Sequence, residues 1–122
     1  MIGTFNDMRA AEEYFANKNK FTIGPVEVDG KIKEGDDTVI LDVRADEDYR
    51  KGHLPGAVNL PESQWGTLRF LSRDTPNIFY CYTQTCHLAS HAAQFFARQG
   101  YPVMEMEGGF EAWKEAGLQV ER

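Results

Sequence analysis

The stretch NIFYC, residues 77–81, is a nearly continuous apolar run of the length expected for a strand that is covered on both faces. A second such run, TVILDV at residues 38–43, follows a cluster of turn residues. After the first run, Leu88, Ala92 and Phe96 recur at helical spacing. These patterns predict two central strands, one of them followed by a loop and an amphipathic helix.

The rest of the chain alternates between strand and helix patterns. Further strands are predicted at residues 21–23, 57–60 and 103–106. Helices are predicted within residues 1–20 (peripheral, capped by Asn6 or Asp7), along the stripe Trp65, Leu68 and Leu71, and from Phe110 to Gly117. In residues 26–34 the apolar spacing suits a strand and Pro25 suits the start of a helix, and we favour the helix. The alternation predicts one α/β domain over residues 1–122, with a central, mainly parallel five-stranded sheet flanked by helices on both faces.

The amino-acid composition limits the binding partners and the cellular location that we expect. Thirteen basic against nineteen acidic residues give a formal net charge of -6, which disfavours nucleic acid and anionic lipid as partners. Residues 1–20 lack the apolar core of a signal peptide, and no run is long enough to span a bilayer. We therefore expect a cytoplasmic protein that binds neither nucleic acid nor membranes.

Cys81 stands where a buried strand meets a loop and a helix. Backbone N–H groups and the positive helix terminus converge at such a junction, and both favour thiolate over thiol. The position therefore predicts a reachable nucleophile with a lowered pKa and an anion-binding cradle beside it. A free cysteine that ends a strand is also a common core residue, and topology alone leaves both interpretations open.

Four segments resemble the rhodanese family, and together they extend over most of the chain: LDVR at 41–44, GHLPGAVNLP at 52–61, YC at 80–81 and EGGFEAW at 107–113. The resemblance implies a parallel sheet flanked by helices and a six-residue loop whose first member takes up sulfane sulfur as a persulfide. Cys81 would be that residue. The substrate-binding positions would be Tyr82, Thr83, Gln84, Thr85, Cys86 and His87.

The implied activity is sulfur transfer from thiosulfate, a persulfide or a polysulfide to a thiol or cyanide, without metal or organic cofactor. A protein could also be the sulfur acceptor. Many family members carry a glycine within the loop and an arginine as its sixth residue, whereas this chain has Gln84 and Cys86 there. Since the guanidinium is missing, we expect weak use of thiosulfate and a persulfide or polysulfide as the donor.

Cys86 has two interpretations: a second active thiol that attacks a Cys81 persulfide, or a side chain that fills space. The spacing of His87 and His91 superficially suits zinc, but zinc on Cys81 would remove the nucleophile, so no metal is expected. His53 is expected to be structural. Asp42 and Arg44 are expected to support the loop through an ion pair or hydrogen bonds.

Three rival functions share the nucleophile or the fold. A cysteine phosphatase would need an arginine where this chain has His87, so that function is disfavoured. A reductase that cycles Cys81 and Cys86 between dithiol and disulfide remains open. A catalytically weak rhodanese-like binding module also remains open.

Overall fold

The computed structural model describes residues 7–122 as a single sheet with helices on both faces. The strands are β1 (Thr22–Ile23), β2 (Val39–Asp42), β3 (Val58–Asn59), β4 (Asn77–Tyr80) and β5 (Val103–Met106). Their order in the sheet is β1-β5-β4-β2-β3, and all four pairings are parallel. The predicted α/β architecture is confirmed.

Residues 7–122 form five α-helices and one 3₁₀ helix, which pack against the sheet. The α-helices are α1 (Met8–Phe21), α2 (Pro25–Glu34), α3 (Asp46–Lys51), α4 (Leu88–Arg98) and α5 (Gly109–Glu115); the 3₁₀ helix is Glu62–Thr67. The predicted helix over residues 26–34 is confirmed, with Pro25 in its first turn and Gly35 in the left-handed conformation at its end. No helix among residues 7–122 has the length and apolar character required to cross a bilayer.

Strand β4 lies between β2 and β5 and is buried along its whole length. Its side chains alternate between two apolar clusters, because successive residues of a strand point to opposite faces. Ile78 and Tyr80 pack with Val28 and Trp113 from α2 and α5. Phe79 and the following Cys81 pack on the other face with α4. This alternation decides which groups can surround the cysteine.

Helix α1 is peripheral, as predicted. The Asp7 carboxylate accepts hydrogen bonds from the backbone N–H groups of Arg9 and Ala10; Asn6, the other predicted cap, lies outside the described residues. The large apolar side chains of this helix do not reach the core, since Met8 is 80% exposed and Phe15 is 55% exposed. Phe21 was assigned to a strand from the sequence but is the last residue of this helix.

The sequence analysis predicted one α-helix that the structure does not contain and missed one that it does contain. The stripe Trp65, Leu68 and Leu71 does not form an α-helix: a 3₁₀ helix ends at Thr67, and Leu68 adopts a left-handed backbone with φ of 55°. Gly66 weakens an α-helix at this point, and the apolar side chains reach the α4 cluster without one. Helix α3 was not predicted, although its first turn has three acidic residues and its last turn has two basic ones.

The N-terminus of α5 holds the start of the loop that follows β4. The backbone N–H groups of Phe110 and Glu111 donate to the carbonyl oxygens of Cys81 and Tyr82, at 2.9 and 3.0 Å. Gly109 makes this approach possible: its φ is +63°, and a Cβ there would lie 2.7 Å from the Thr83 nitrogen. A side chain at residue 109 would therefore separate the helix from the loop.

We predict that Gly109→Ala lowers the free energy of unfolding by at least about 2 kcal/mol, because a left-handed backbone and an overpacked contact are both unfavourable for alanine. The matched control is Gly30→Ala in α2, where a Cβ meets nothing within 4 Å. Alanine there should stabilise by about 0.5–1 kcal/mol. Urea unfolding measures both variants, and equal stability of the two would contradict this account.

Candidate active site

The segment between β4 and α4 contains every residue that was predicted to bind substrate. A turn closes it, with the Cys86 N–H donating to the Thr83 carbonyl oxygen at 3.2 Å. The Gln84 side chain accepts from the backbone N–H of Gly108, which ties the segment to the start of α5. Tyr82, Gln84, Thr85 and His87 are exposed, whereas Thr83 and Cys86 are partly buried. The exposed residues therefore lie above a buried cysteine.

Cys81 is only 2% exposed and belongs to the apolar cluster on the α4 face. The expectation of a solvent-reachable sulfur is therefore wrong for this conformation. The expectation of convergent amides holds in part, since the backbone N–H groups of Ala89 and Tyr82 interact with the sulfur. The Cys81 thiol also contacts the carbonyl oxygen of Cys86, with a sulfur–oxygen distance of 3.5 Å.

Burial and the hydrogen bond with the Cys86 side chain together raise the pKa of Cys81 to about 11, and the amides of Ala89 and Tyr82 oppose this shift without overcoming it. The prediction of a lowered pKa at Cys81 is therefore wrong. Its physical error was to count the amides and the helix terminus without counting the loss of water around the sulfur.

Cys86 shows the opposite behaviour. Burial acts to raise its pKa, but the Cys81 thiol and the backbone N–H groups of Leu88 and Tyr82 outweigh burial, so the pKa of Cys86 is lowered. The Glu105 carboxylate, which lies on β5, opposes this effect. The pKa values of the two cysteines are therefore shifted in opposite directions, with that of Cys81 raised and that of Cys86 lowered.

A buried ion pair occupies the other face of the sheet. The Asp42 carboxylate accepts from the Arg44 guanidinium at 2.7 Å and from the Tyr80 hydroxyl at 2.6 Å, and all three side chains are almost fully buried. Burial acts to lower the pKa of Arg44, but its hydrogen bonds and charge interaction with Asp42 outweigh that effect and raise it. Burial, with the Asp42 charge, raises the pKa of Tyr80 above its ordinary value.

Arg44 reaches the loop through aromatic rings. Its guanidinium lies 4.1 Å from the centre of the Phe110 ring and 5.7 Å from that of Tyr82, and it donates to the Gly52 carbonyl oxygen at 2.6 Å. The predicted ion pair between Asp42 and Arg44 is present. The contact with the loop is made by stacking, and the described hydrogen bonds of Arg44 go elsewhere. Their supporting role stays a prediction.

Comparison with known proteins identifies the family to which this chain belongs. A family model described as "Rhodanese-like domain" matches residues 25–116, which is most of the chain. This protein belongs to the rhodanese-like domain family. Residues 80–81 and the segments named with them from the sequence therefore pointed to the correct family.

Individual relatives agree with that assignment. The BH2092 protein from Bacillus halodurans is 30% identical, with a TM-score of 0.85 over 94% of this chain and 86% of that one. Thiosulfate sulfurtransferase from Pseudomonas aeruginosa has a TM-score of 0.72 at 24% identity, over 88% of this chain and 21% of that one, so it shares the fold.

The HTH-type transcriptional regulator Rv0324 from Mycobacterium tuberculosis (strain ATCC 25618 / H37Rv) is 32% identical over 90 residues. The match takes in 73% of this chain but only 40% of the length of that regulator. The similarity therefore concerns one part of a longer relative.

His53 packs beside α3, whereas His87 and His91 lie at the start of α4 and within it. His53 stacks on Tyr49 with ring centres 3.8 Å apart, and its Nδ1 donates to the Tyr49 carbonyl oxygen at 2.8 Å. His87 occupies the N-cap position of α4, with the His91 ring centre 6.3 Å away. Within residues 7–122, no group of three or more His, Cys, Asp or Glu side chains is arranged to hold a metal ion.

A cleft of about 550 Å³ opens beside the loop and was not predicted. Its charged lining comes from separate parts of the chain: Arg44, Asp48, Lys51, Glu111, Lys114 and Arg122. Tyr82 and Thr83 also line it, but Cys81 does not, because its side chain points to the opposite face of the sheet. The cleft is therefore separated from the thiol pair by the backbone that follows β4.

We predict that Asp42→Asn destabilises the domain by about 3–5 kcal/mol, because it leaves the Arg44 guanidinium buried without a counter-charge. The control is Asp46→Asn, which breaks an ion pair with Arg50 whose side chains are 56% and 76% exposed. That change should cost no more than about 1 kcal/mol. Denaturant unfolding at neutral pH gives both values, and a similar cost for the two would refute the buried-charge argument.

We predict that iodoacetamide at pH 7 modifies Cys86 before Cys81. The thiolate is the reactive form, so the partly exposed thiol with the lowered pKa reacts first. Modification of Cys81 should accelerate as the pH rises towards its pKa of about 11. Peptide mapping by mass spectrometry measures both rates, with protein unfolded in urea as the control in which the two sites should react alike. Faster modification of Cys81 at pH 7 would be the contrary result.

Proposed function

We propose that this rhodanese-like domain is a sulfurtransferase that carries sulfane sulfur as a persulfide on Cys81. The observation that supports this most directly is the position of the Cys81 sulfur at the carboxyl end of a central strand, with the N–H groups of Tyr82 and Ala89 directed at it. Ligands of parallel α/β sheets bind at this end of the strands. The amides stabilise negative charge on sulfur while the persulfide forms and breaks.

The first step forms the persulfide on Cys81. The Cys81 thiol gives up its proton to solvent, and the resulting thiolate attacks the outer sulfur of a donor persulfide. The sulfur–sulfur bond of the donor breaks, its thiolate leaves with the electron pair and takes up a proton from solvent, and Cys81 holds the persulfide. An acceptor thiolate, or cyanide, then attacks the outer sulfur and releases Cys81 as thiolate.

The charges near the pair favour a persulfide or polysulfide donor over thiosulfate. Transfer from thiosulfate releases sulfite, which carries two negative charges. Here Cys86 supplies no positive charge beside Cys81, and the Arg44 guanidinium is already held by Asp42 on the other face. A persulfide releases a singly charged thiolate and therefore needs less neutralisation.

We also propose the reactants and the compartment in which the reaction takes place. The donor and acceptor are small thiol compounds, and a protein thiol is a further acceptor. Both cysteines are free in this structure, and Cys81 must be reduced to begin the cycle. We therefore propose a reducing compartment, the cytoplasm, as the place of action.

We predict that Cys81→Ser lowers sulfur transfer from glutathione persulfide to cyanide by at least about 10³-fold, because the nucleophile is lost. Thiocyanate formation measures the rate, and mass spectrometry after donor treatment should find one added sulfur atom on Cys81 of the Cys86→Ser protein. Thiosulfate should be the poorer donor. Glu34→Gln, an exposed change on α2, is the control that should keep full activity. Undiminished transfer by the Cys81→Ser protein would eliminate the proposal.

A further inference from the structure

The two cysteines of the loop are in contact. The Cys81 thiol lies 3.5 Å from the Cys86 carbonyl oxygen, and the two side chains also interact with each other through hydrogen bonding. The turn between Thr83 and Cys86 folds the loop back so that its first and last residues meet. The Cys86 side chain therefore lies within hydrogen-bonding reach of the Cys81 thiol, which is close enough to meet sulfur bound to Cys81.

We propose that Cys86 is a resolving thiol, which attacks the persulfide of Cys81, releases hydrosulfide and leaves a disulfide between the two residues. This inference rests on the proposed function, since it needs the Cys81 persulfide as its starting point. It changes the reaction of the domain from transfer of sulfur to reduction of sulfane sulfur.

The step balances in atoms and electrons. The Cys86 thiolate attacks the Sγ of Cys81, the bond from Sγ to the outer sulfur breaks, and the outer sulfur leaves as hydrosulfide with that electron pair and the proton it already carried. The sulfane sulfur is reduced, and the two cysteines are oxidised to a disulfide. A cellular dithiol then reduces the disulfide by thiol–disulfide exchange and becomes a disulfide itself.

Cys86 is suited to the attacking role by its surroundings. It is partly exposed, and the N–H groups of Leu88 and Tyr82 contribute to its lowered pKa, which favours the nucleophilic thiolate. Cys81 is buried among apolar side chains. A disulfide requires the two sulfur atoms to approach to about 2.05 Å. Both cysteines are free, so the disulfide forms only if the end of the loop moves towards Cys81.

The resolving reaction competes with an external acceptor for the same persulfide. An acceptor thiol must reach a sulfur on Cys81, which is only 2% exposed, whereas Cys86 already touches it. Proximity of this kind favours the internal reaction strongly, because no encounter in solution is needed. The wild-type domain should therefore release hydrosulfide when no acceptor is present.

A single-turnover experiment tests this inference. The full chain and the variants Cys86→Ser, Cys86→Ala and Cys81→Ser are reduced, freed of reductant and mixed with one equivalent of glutathione persulfide; a protein-free sample corrects for spontaneous decay. Alkylation then traps free thiols, and intact mass and hydrosulfide are measured together. The wild-type chain should release nearly one hydrosulfide per protein and resist alkylation at both cysteines.

The variants separate this inference from the proposed function. Both Cys86 variants should retain the added sulfur on Cys81 and release at least about tenfold less hydrosulfide, because the internal attack is lost. If the wild-type chain retains the sulfur to the same extent, Cys86 does not resolve it and only this inference fails. If neither Cys86 variant gains sulfur on Cys81, the proposed function fails as well. If the Cys81→Ser protein gains sulfur on Cys86, the order of the two thiols is reversed and the inference is overturned.

Discussion

The pleat of strand β4 is the constraint on which the site depends. Tyr80 and Cys81 are neighbours in the chain, but the alternation of the strand sends their side chains to opposite faces of the sheet. The buried ion pair between Asp42 and Arg44 therefore meets Tyr80, while the thiol pair faces α4. The Arg44 guanidinium is thereby paired with a carboxylate and kept away from the thiol pair. The chemistry proposed for the loop follows from that separation.

Burial and hydrogen bonding shift the pKa values of the two thiols in opposite directions. A helix terminus stabilises an adjacent charge by about 0.3–1 kcal/mol, rising to about 2 kcal/mol in favourable buried sites. Loss of hydration can shift the pKa of a fully buried group by as much as about 3–5 units, and each unit corresponds to about 1.4 kcal/mol. For Cys81 the loss of hydration is the larger effect, whereas for Cys86 the thiol and amide donors outweigh it. The later residue of the loop is therefore the thiol with the lower pKa.

Much of the fold could be predicted from the sequence because its signals are local. Continuous apolar runs indicated the central strands, and Pro25 and Gly35 delimited α2. The 3₁₀ helix could not be read from the stripe beginning at Trp65, since apolar spacing does not report the left-handed backbone of Leu68. Helix α3 is short and has no buried residue, so hydrophobic periodicity gave no signal for it.

Less of the candidate site than of the fold could be predicted from the sequence. The loop and its first cysteine follow from residues that are adjacent in the chain. The pKa of Cys81 depends on how completely Phe79, Ala89 and their neighbours exclude water, and these residues are distant from one another in the chain. The cleft combines residues 44–52, 82–83 and 110–122. Local sequence patterns therefore predict neither the pKa nor the cleft. The alternation that divides Tyr80 from Cys81 was available from the sequence, because it requires only the period of a strand.

The residue at the sixth loop position links these observations. The resemblance to rhodaneses implies an arginine there, and this chain has Cys86 with a lowered pKa. That exchange leaves no fixed positive charge at this position beside the Cys81 sulfur, which disfavours a dianionic leaving group. It also puts a nucleophile where an anion-binding group would be, within contact of the same sulfur. A backbone that cradles a persulfide can therefore support transfer or reduction, and the side chain at residue 86 selects between them.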